Sequence, residues 1–174
     1  MASKLKNLSE GTSSLEIDGS NFAIGILVSE YHDHITNALR DGCLKVLLEN
    51  GVETDNIILD YVPGAYELPA AAAILLESYE LDAVICFGCV IKGDTDHDKY
   101  INQAVSNELM RLSSEMLTPV IFGLLTTNDE QQALDRAGGK HGNKGEECAA
   151  AALKMAAFYT RHGNFEDDES PLFN

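Results

Sequence analysis

Tryptophan is absent from this sequence, aromatic residues make up only 7% of it, and basic residues are scarce. Twelve Lys and Arg residues stand against 28 Asp and Glu residues, which gives a formal net charge of −16. Nucleic acids and anionic membrane surfaces are bound through a basic face, so this charge balance predicts neither kind of partner. With so few aromatic residues, aliphatic side chains and alanine must fill the core.

Long apolar runs are also missing. No segment approaches roughly 18 consecutive apolar residues, the length typical of a membrane-spanning helix. The first 21 residues, MASKLKNLSEGTSSLEIDGSN, contain no apolar stretch of the kind that a secretory signal carries. We therefore expect a cytoplasmic protein in a reducing compartment.

Cysteine is limited to four residues. Cys86 and Cys89 have a C-x-x-C spacing, but they lie in an apolar, strand-like run, and no second pair completes a zinc site. We expect all four cysteines to be buried free thiols.

A length of 174 residues with 45% hydrophobic residues is typical of one globular domain. The two ends differ in composition from the middle. Residues 1–20 are polar and are predicted to be an arm, loose or held against a neighbouring chain. Residues 163–174 carry the acidic run 166–169 and are predicted to be a solvated tail. The folded domain is predicted to span residues 21–162.

Four apolar runs of strand length alternate with helical patterns. Strands are predicted over residues 22–29, 56–62, 83–91 and 119–125. Helices are predicted over residues 36–50, 68–78, about 100–116, 129–137 and 144–160. Buried parallel strands joined by right-handed helical crossovers account for this alternation. The predicted fold class is α/β, a three-layer α/β/α sandwich with a four-stranded parallel sheet.

Ligands of such folds bind beyond the carboxyl ends of the strands. The segments that follow the predicted strands are residues 29–36, 63–69, 92–100 and 126–129. They contain an aromatic residue, Tyr31, an acid at a tight turn, Glu67, and a loop with Thr95 and His97 before a helix. Backbone N–H groups at a helix N-terminus attract anions. These residues predict a ligand site but do not identify the ligand.

Each candidate also has a plainer interpretation. Tyr31 is compatible with an ordinary half-buried aromatic residue, and Glu67 with an acid that favours the helix dipole. The run DTDHD at 94–98 imitates a carboxylate metal site, but it lacks the Gly and the distal Glu of a calcium loop. We therefore predict no metal. The basic segment RAGGKHGNKG at 136–145 has two interpretations. Either its glycines allow the backbone and the cationic side chains to approach an anion, or it is a flexible, solvated linker between two helices.

Four motifs in order resemble the 6,7-dimethyl-8-ribityllumazine synthase (lumazine synthase) family, and the resemblance runs from about residue 22 to residue 158. The motifs are VPGAYELPAAA at 62–72, GCVIKGDTDHDKYI at 88–101, PVIFGLLTT at 119–127 and RAGGKHGNKG at 136–145. The resemblance implies a flavodoxin-like sandwich and a transferase of riboflavin biosynthesis that needs no cofactor. Its two small-molecule substrates would be 5-amino-6-(D-ribitylamino)uracil and 3,4-dihydroxy-2-butanone 4-phosphate, with release of phosphate and water.

The resemblance also implies residue roles. His97 matches the residue that transfers protons, and Asp94, Thr95 and Arg136 match positions that receive the phosphate. Tyr31 matches the aromatic residue that stacks on the pyrimidine. The full set of positions matched to the pyrimidine and ribityl chain is Tyr31, Ala65, Tyr66, Glu67, Val90, Ile91, Phe122 and Lys144.

Family members form a ring-shaped pentamer with sites between subunits, so Phe122 and Arg136 would be supplied by a neighbouring copy. Some members assemble twelve pentamers into a shell of sixty subunits, and the short segment 138–145 favours that shell. Two departures from the family pattern are His32, where many relatives carry Asn, and Lys92, where many carry Arg.

Two other functions remain open at this point. One is an archaeal-type riboflavin synthase, a relative that dismutates two lumazines. The other is a cage protein that binds flavin or lumazine without turnover. The motifs that contain His97 and Arg136 favour the lumazine synthase.

Overall fold

The computed structural model describes residues 15–163, so the predicted acidic tail beyond Gly163 and the first 14 residues of the predicted arm lie outside the described residues. The part of the arm that is described contacts the body of its own chain. Leu15 and Ile17 are partly buried against the core. The N–H of Gly19 donates to the carbonyl of Asn50 at 2.8 Å.

Strands and helices alternate as the apolar runs predict. The elements are β1 (Ile24–Ser29), α1 (Asp33–Glu49), β2 (Ile57–Val62), α2 (Leu68–Ser78), β3 (Ala83–Ile91), α3 (His97–Glu115), β4 (Val120–Thr127), α4 (Glu130–Arg136), β5 (Ala137–Gly139), β6 (Gly142–Asn143) and α5 (Lys144–His162). Two short 3₁₀ helices, Thr54–Asn56 and Ala65–Glu67, precede β2 and α2.

The main sheet has four parallel strands in the order β2-β1-β3-β4. Every residue of β1 is buried, as expected of a central strand covered by helices on both faces. One face of the sheet packs against α1, α4 and α5, and the other against α2 and α3. The predicted fold, a three-layer α/β sandwich with a four-stranded parallel sheet, is confirmed.

Alanine and glycine allow the helices to approach closely, as the shortage of aromatic residues predicts. Ala149, Ala152 and Ala156 of α5 are fully or almost fully buried. A Cβ atom placed on Gly145 would lie 1.8 Å from the carbonyl oxygen of Leu39, so the start of α5 lies directly against α1. Large side chains would keep these two helices apart.

The structure differs from the predicted elements in two places that concern the site. Helix α3 begins at His97 rather than near residue 100, which makes His97 its first residue. The glycine-rich segment after α4 is an antiparallel hairpin, β5–β6, rather than a flexible linker. Gly138 and Gly142 adopt φ angles of +108° and +83°, which glycine accepts readily.

All four cysteines are buried free thiols, as predicted. Within residues 15–163, no helix combines the length and the apolar character that crossing a membrane requires.

Candidate active site

Two adjoining cavities open at the carboxyl ends of the strands, on the face of the sheet that α2 and α3 cover. Their volumes are about 440 and 470 Å³. Both are lined by Tyr31, Ala65, His97 and Ile101. The first is completed by His32, Cys89, Val90, Ile91, Gly93, Thr95 and Asp98, and the second by Gly64, Tyr66, Glu67 and Tyr100. Eight of the twelve predicted site residues, drawn from three separate segments of the chain, therefore meet in one place: Tyr31, Ala65, Tyr66, Glu67, Val90, Ile91, Thr95 and His97.

The ring of Tyr31 lies against the turn between β2 and α2. A Cβ atom placed on Gly64 would lie 2.9 Å from Cδ2 and 3.0 Å from Cε2 of Tyr31, and 3.1 Å from Oε2 of Glu67. Gly64 has an extended backbone, with φ −151°, so the constraint here is space rather than backbone conformation. Tyr31 remains 68% exposed, which leaves most of its ring available to a planar ligand.

His97 lies at the N-terminus of the 19-residue helix α3, and its side chain is exposed toward the cavities. Its backbone N–H makes a long 3.5 Å contact with Oγ1 of Thr95. Further along the first two turns of α3, Asp98 Oδ1 and Asn102 Oδ1 are buried without a hydrogen-bond partner among the described residues. Asp98 lines the cavity, so it offers an acceptor for a ligand hydroxyl or a water. A helix N-terminus beside these groups favours an anion.

His32 adopts a left-handed backbone conformation, with φ 58° and ψ 47°, immediately before α1. Asn, Asp and His are the non-glycine residues enriched in this region of φ and ψ. His32, noted above as a departure from the pattern of the resembled family, is therefore a residue type that tolerates this turn.

Cys89 lines the first cavity but is almost fully buried. Burial, with a smaller contribution from the negative charge of Glu130, raises the pKa of its thiol to about 11. Since the thiolate is the reactive form, a thiol with this pKa acts as a small apolar wall rather than as a nucleophile.

The remaining four predicted site residues, Asp94, Phe122, Arg136 and Lys144, do not line these cavities in their own chain. Asp94 is exposed in the loop before α3. Phe122 lies on the edge strand β4 with 38% of its surface exposed. Arg136 and Lys144 flank the β5–β6 hairpin, at the end of α4 and the start of α5.

Arg136 and Lys144 share one carboxylate, that of Glu147. Nη2 of Arg136 donates to Glu147 Oε1 at 2.7 Å, and Nζ of Lys144 donates to Oε2 at 3.1 Å. Nη1 of Arg136 also donates to the carbonyl of His141 at 2.6 Å. The hairpin thus brings two cations from different helices onto the two oxygens of one acid.

Sequence reasoning did not identify Glu147, Gly64, Asp98 or Cys89 as site residues. The i, i+3 spacing of Lys144 and Glu147 was a detectable signal, since it places both side chains on one face of a helix. Gly64, Asp98 and Cys89 lie in patterns that the sequence shows, but none of those patterns indicates that they line a cavity. Within residues 15–163, no cluster of three or more His, Cys, Asp or Glu side chains is arranged to hold a metal ion.

Comparison with known proteins gives a consistent result over most of the chain. The family model described as 6,7-dimethyl-8-ribityllumazine synthase matches residues 21–160. A protein of that name from Porphyromonas gingivalis is 49% identical over 156 residues, which cover 90% of this chain and 97% of the relative. One from Bacteroides fragilis is 48% identical and covers 77% of this chain and 94% of the relative. One from Parabacteroides distasonis is 45% identical and covers 91% of this chain and 99% of the relative. The chain therefore belongs to the 6,7-dimethyl-8-ribityllumazine synthase family.

Proposed function

We propose that this protein is a transferase of riboflavin biosynthesis that condenses 5-amino-6-(D-ribitylamino)uracil with 3,4-dihydroxy-2-butanone 4-phosphate to form 6,7-dimethyl-8-ribityllumazine. The observation that carries the proposal is the meeting of Tyr31, Glu67 and His97 around one cavity, within a chain that matches this family from residue 21 to residue 160. The names of the relatives favour neither a riboflavin synthase nor a cage without turnover. We place its action in the cytoplasm.

The heterocycle is proposed to bind on the exposed face of Tyr31. Offset stacking on an aromatic ring contributes roughly 0.5–1.5 kcal/mol beyond the area buried. The backbone of Val90 and Ile91, at the end of β3, would form hydrogen bonds with the edge of the pyrimidine. Ala65, Tyr66 and Glu67 would hold the ribityl chain, with the carboxylate of Glu67 accepting from its hydroxyl groups.

His97 is proposed to move protons during the reaction. The substrate amine adds to the ketone and forms an imine with loss of water. Removal of a proton from the neighbouring, hydroxyl-bearing carbon then allows the C–O bond to the phosphate to break, which leaves an enol. The enol takes up a proton at its terminal carbon and becomes a ketone, and the ribitylamino nitrogen adds to this ketone and closes the ring with loss of a further water. Each step is an addition, an elimination, a proton transfer or a dehydration, so the reaction needs no redox cofactor. General acid–base catalysis by one positioned side chain contributes roughly 10²–10⁴-fold.

The phosphate is proposed to bind where the loop of Asp94 and Thr95 meets the N-terminus of α3. Arg136 would complete this site with a bidentate, charge-assisted contact. Because Arg136, Lys144 and Phe122 do not line the cavities of their own chain, we propose that a second copy supplies them. The ring-shaped pentamer that the family resemblance implies would place such a second copy beside each site, and we propose it as the minimum active assembly. The short β5–β6 segment favours a closed shell of pentamers.

The experiment is a turnover assay with both substrates, accompanied by sedimentation. We expect lumazine formation, an assembly of at least five chains, and near-complete loss of activity in Arg136→Ala at low butanone phosphate. Arg111→Ala is the matched control, because Arg111 is exposed and, within residues 15–163, its ion pairs are with its helix neighbours Glu108 and Glu115. Wild-type turnover by Arg136→Ala would contradict the assignment of Arg136 to the phosphate site. Riboflavin formed from lumazine alone would instead favour the riboflavin synthase, and tight flavin binding without product would favour the cage.

A mixing experiment tests whether the site is shared between copies. His97→Ala and Arg136→Ala are unfolded together, refolded as mixed assemblies and assayed. If each site takes His97 from one copy and Arg136 from another, random mixing restores roughly a quarter of the sites. If both residues act within one chain, no mixed assembly regains activity.

A further inference from the structure

We propose that Glu147 is a positioning residue, which presets the side chains of Arg136 and Lys144 for the phosphate of the butanone substrate. This inference rests on the proposed function. It gives a partner to Arg136 of the phosphate site, and it also places Lys144, which the family resemblance matches to the pyrimidine and ribityl chain, beside the phosphate. Glu147 itself is not proposed to touch the substrate.

The geometry places one cation on each oxygen of the carboxylate. Arg136 Nη2 is 2.7 Å from Oε1 and Lys144 Nζ is 3.1 Å from Oε2. The carbonyl of His141 accepts from the other terminal nitrogen of Arg136 at 2.6 Å. The guanidinium is thereby held by two contacts in different directions, which fixes the plane of its fork. A fixed fork loses less freedom when an anion binds.

Burial makes this arrangement stronger than an ordinary surface ion pair. The side chain of Glu147 is only 13% exposed, and those of Arg136 and Lys144 are 21% and 33% exposed. Charges held in partly buried positions are screened less by solvent and salt than exposed pairs are. The β5–β6 hairpin closes the arrangement, because it returns the chain from the end of α4 to the start of α5.

The charges also favour a positioning role. Two cations and one carboxylate leave a net charge of one, and the carboxylate separates two groups that would otherwise repel each other. Arginine has five N–H groups in its fork. Glu147 and His141 engage two of them among the described residues, so donors remain for a phosphate.

A competing role for Glu147 predicts the opposite change in phosphate affinity. If Glu147 merely occupied the cations in place of the substrate, removing its charge would strengthen phosphate binding. If it positions them, removing its charge weakens phosphate binding. The direction of one measured quantity, the KM for the phosphate substrate, therefore separates the two roles.

The test compares Glu147→Gln with Glu146→Gln in the assembled full-length protein. Glu146 is the adjacent acid on α5 and contacts Lys45 at 3.4 Å, away from Arg136. We expect Glu147→Gln to raise the KM for butanone phosphate about tenfold or more, from the loss of two hydrogen bonds between charged groups. The KM for the pyrimidine amine should stay within about twofold of wild type, and the constant for inhibition by inorganic phosphate should rise in parallel. Glu146→Gln should change none of these values.

Two results of the KM measurements on Glu147→Gln would overturn the proposal. One is an unchanged or lower KM for butanone phosphate in Glu147→Gln. The other is an equal rise in both KM values together with a lower kcat, which marks a general structural role. If Glu147→Gln does not assemble, Glu147→Asp decides the question: its retained charge predicts a KM between those of the wild type and Arg136→Ala, and a KM equal to that of Arg136→Ala contradicts positioning by charge.

A binding measurement keeps this inference separate from the proposed function. Calorimetric titration with inorganic phosphate requires no turnover. Weaker phosphate binding in Glu147→Gln than in wild type supports the inference even if the wild type forms no lumazine, a result that would refute the proposed function alone. Equal phosphate binding overturns the inference even if lumazine is formed.

Discussion

The ring of Tyr31 covers Gly64 so closely that a single added methyl group at position 64 would lie 2.9 Å from its Cδ2 atom. The two residues are 33 positions apart and belong to segments that follow neighbouring strands, β1 and β2. The parallel pairing of Ser29 with Val62 brings these segments side by side. The proposed stacking surface for the heterocycle therefore depends on the absence of a side chain in the facing turn.

Gly64→Ala tests this contact. The added methyl group should displace the ring of Tyr31, which is exposed and free to move outward, so we expect little loss of stability. The KM for the pyrimidine amine should rise about three- to tenfold, in line with the value of one aromatic stack. In a Tyr31→Leu background the same substitution should have a much smaller effect, because the ring that it displaces is gone. Equal effects in both backgrounds would contradict the contact.

His32 provides a test of backbone conformation. Its φ of 58° predicts that His32→Asn keeps the free energy of unfolding within about 0.5 kcal/mol of wild type. His32→Val should lower that free energy by about 1–2 kcal/mol, because a β-branched residue resists the left-handed region. Glu49→Val, on the exposed end of α1, is the control for the valine side chain in an ordinary helical position. Denaturant unfolding at one fixed protein concentration checks the three variants.

His97→Ala should lower kcat about ten- to a hundredfold while the assembly and the melting temperature stay unchanged, since the side chain is exposed and lies at the start of α3. His34→Ala is the control. Its ring pairs with Glu130 at 2.7 Å and does not line the two cavities. Equal activity in the two histidine variants would show that His97 takes no part in proton transfer.

The buried thiols predict a steep pH dependence of alkylation. Burial raises the pKa of Cys89 to about 11 and that of Cys148 to about 12, and it also raises the pKa of Cys43 and Cys86. The thiolate fraction of each is therefore very small at pH 7.5 and grows about tenfold per pH unit below the pKa. Iodoacetamide should label the folded protein slowly, with Cys89 first, whereas all four thiols should react after denaturation. Rapid labelling of Cys89 at pH 7.5 would contradict the raised pKa.

These raised pKa values also determine whether the free energy of unfolding rises or falls with pH. The folded protein holds thiol protons that the unfolded chain releases above its ordinary pKa near 9. The free energy of unfolding should consequently fall as the pH rises from about 9 toward 11. Cys89→Ala should show a smaller fall over this range than wild type does. The comparison of the two proteins removes the contribution of other groups that titrate at high pH.

The strands and most helices were predictable because their signals are local. The run ICFGCVI predicts β3, and Pro69 with the alanines after it predicts α2, whatever the rest of the chain does. Helix boundaries were less accurate. The start of α3 was placed near residue 100, three residues too late, because the loop acids before it resemble a turn as well as a first helical turn.

The site was predictable in part for a different reason. Residues that follow parallel strands share one edge of the sheet, so Tyr31, Glu67 and His97 were expected to lie together before any contact was known. The hairpin β5–β6 was not expected, because glycines in RAGGKHGNKG are as common in linkers as in tight antiparallel turns. Glu147 was not identified, because an acid in the first turn of a helix usually favours the helix dipole and nothing more.

By itself, the order of apolar runs, turns and motifs in this sequence determined an α/β sandwich of the lumazine synthase family, since each of these signals is contained in a few neighbouring residues. Only the tertiary structure decided that Gly64 leaves room for the ring of Tyr31, that His32 adopts a left-handed conformation, and that Glu147 holds Arg136 and Lys144 together. Those three facts depend on how close separate segments come to one another. That closeness is set by strand order and by the packing of small residues between helices, which no single segment encodes.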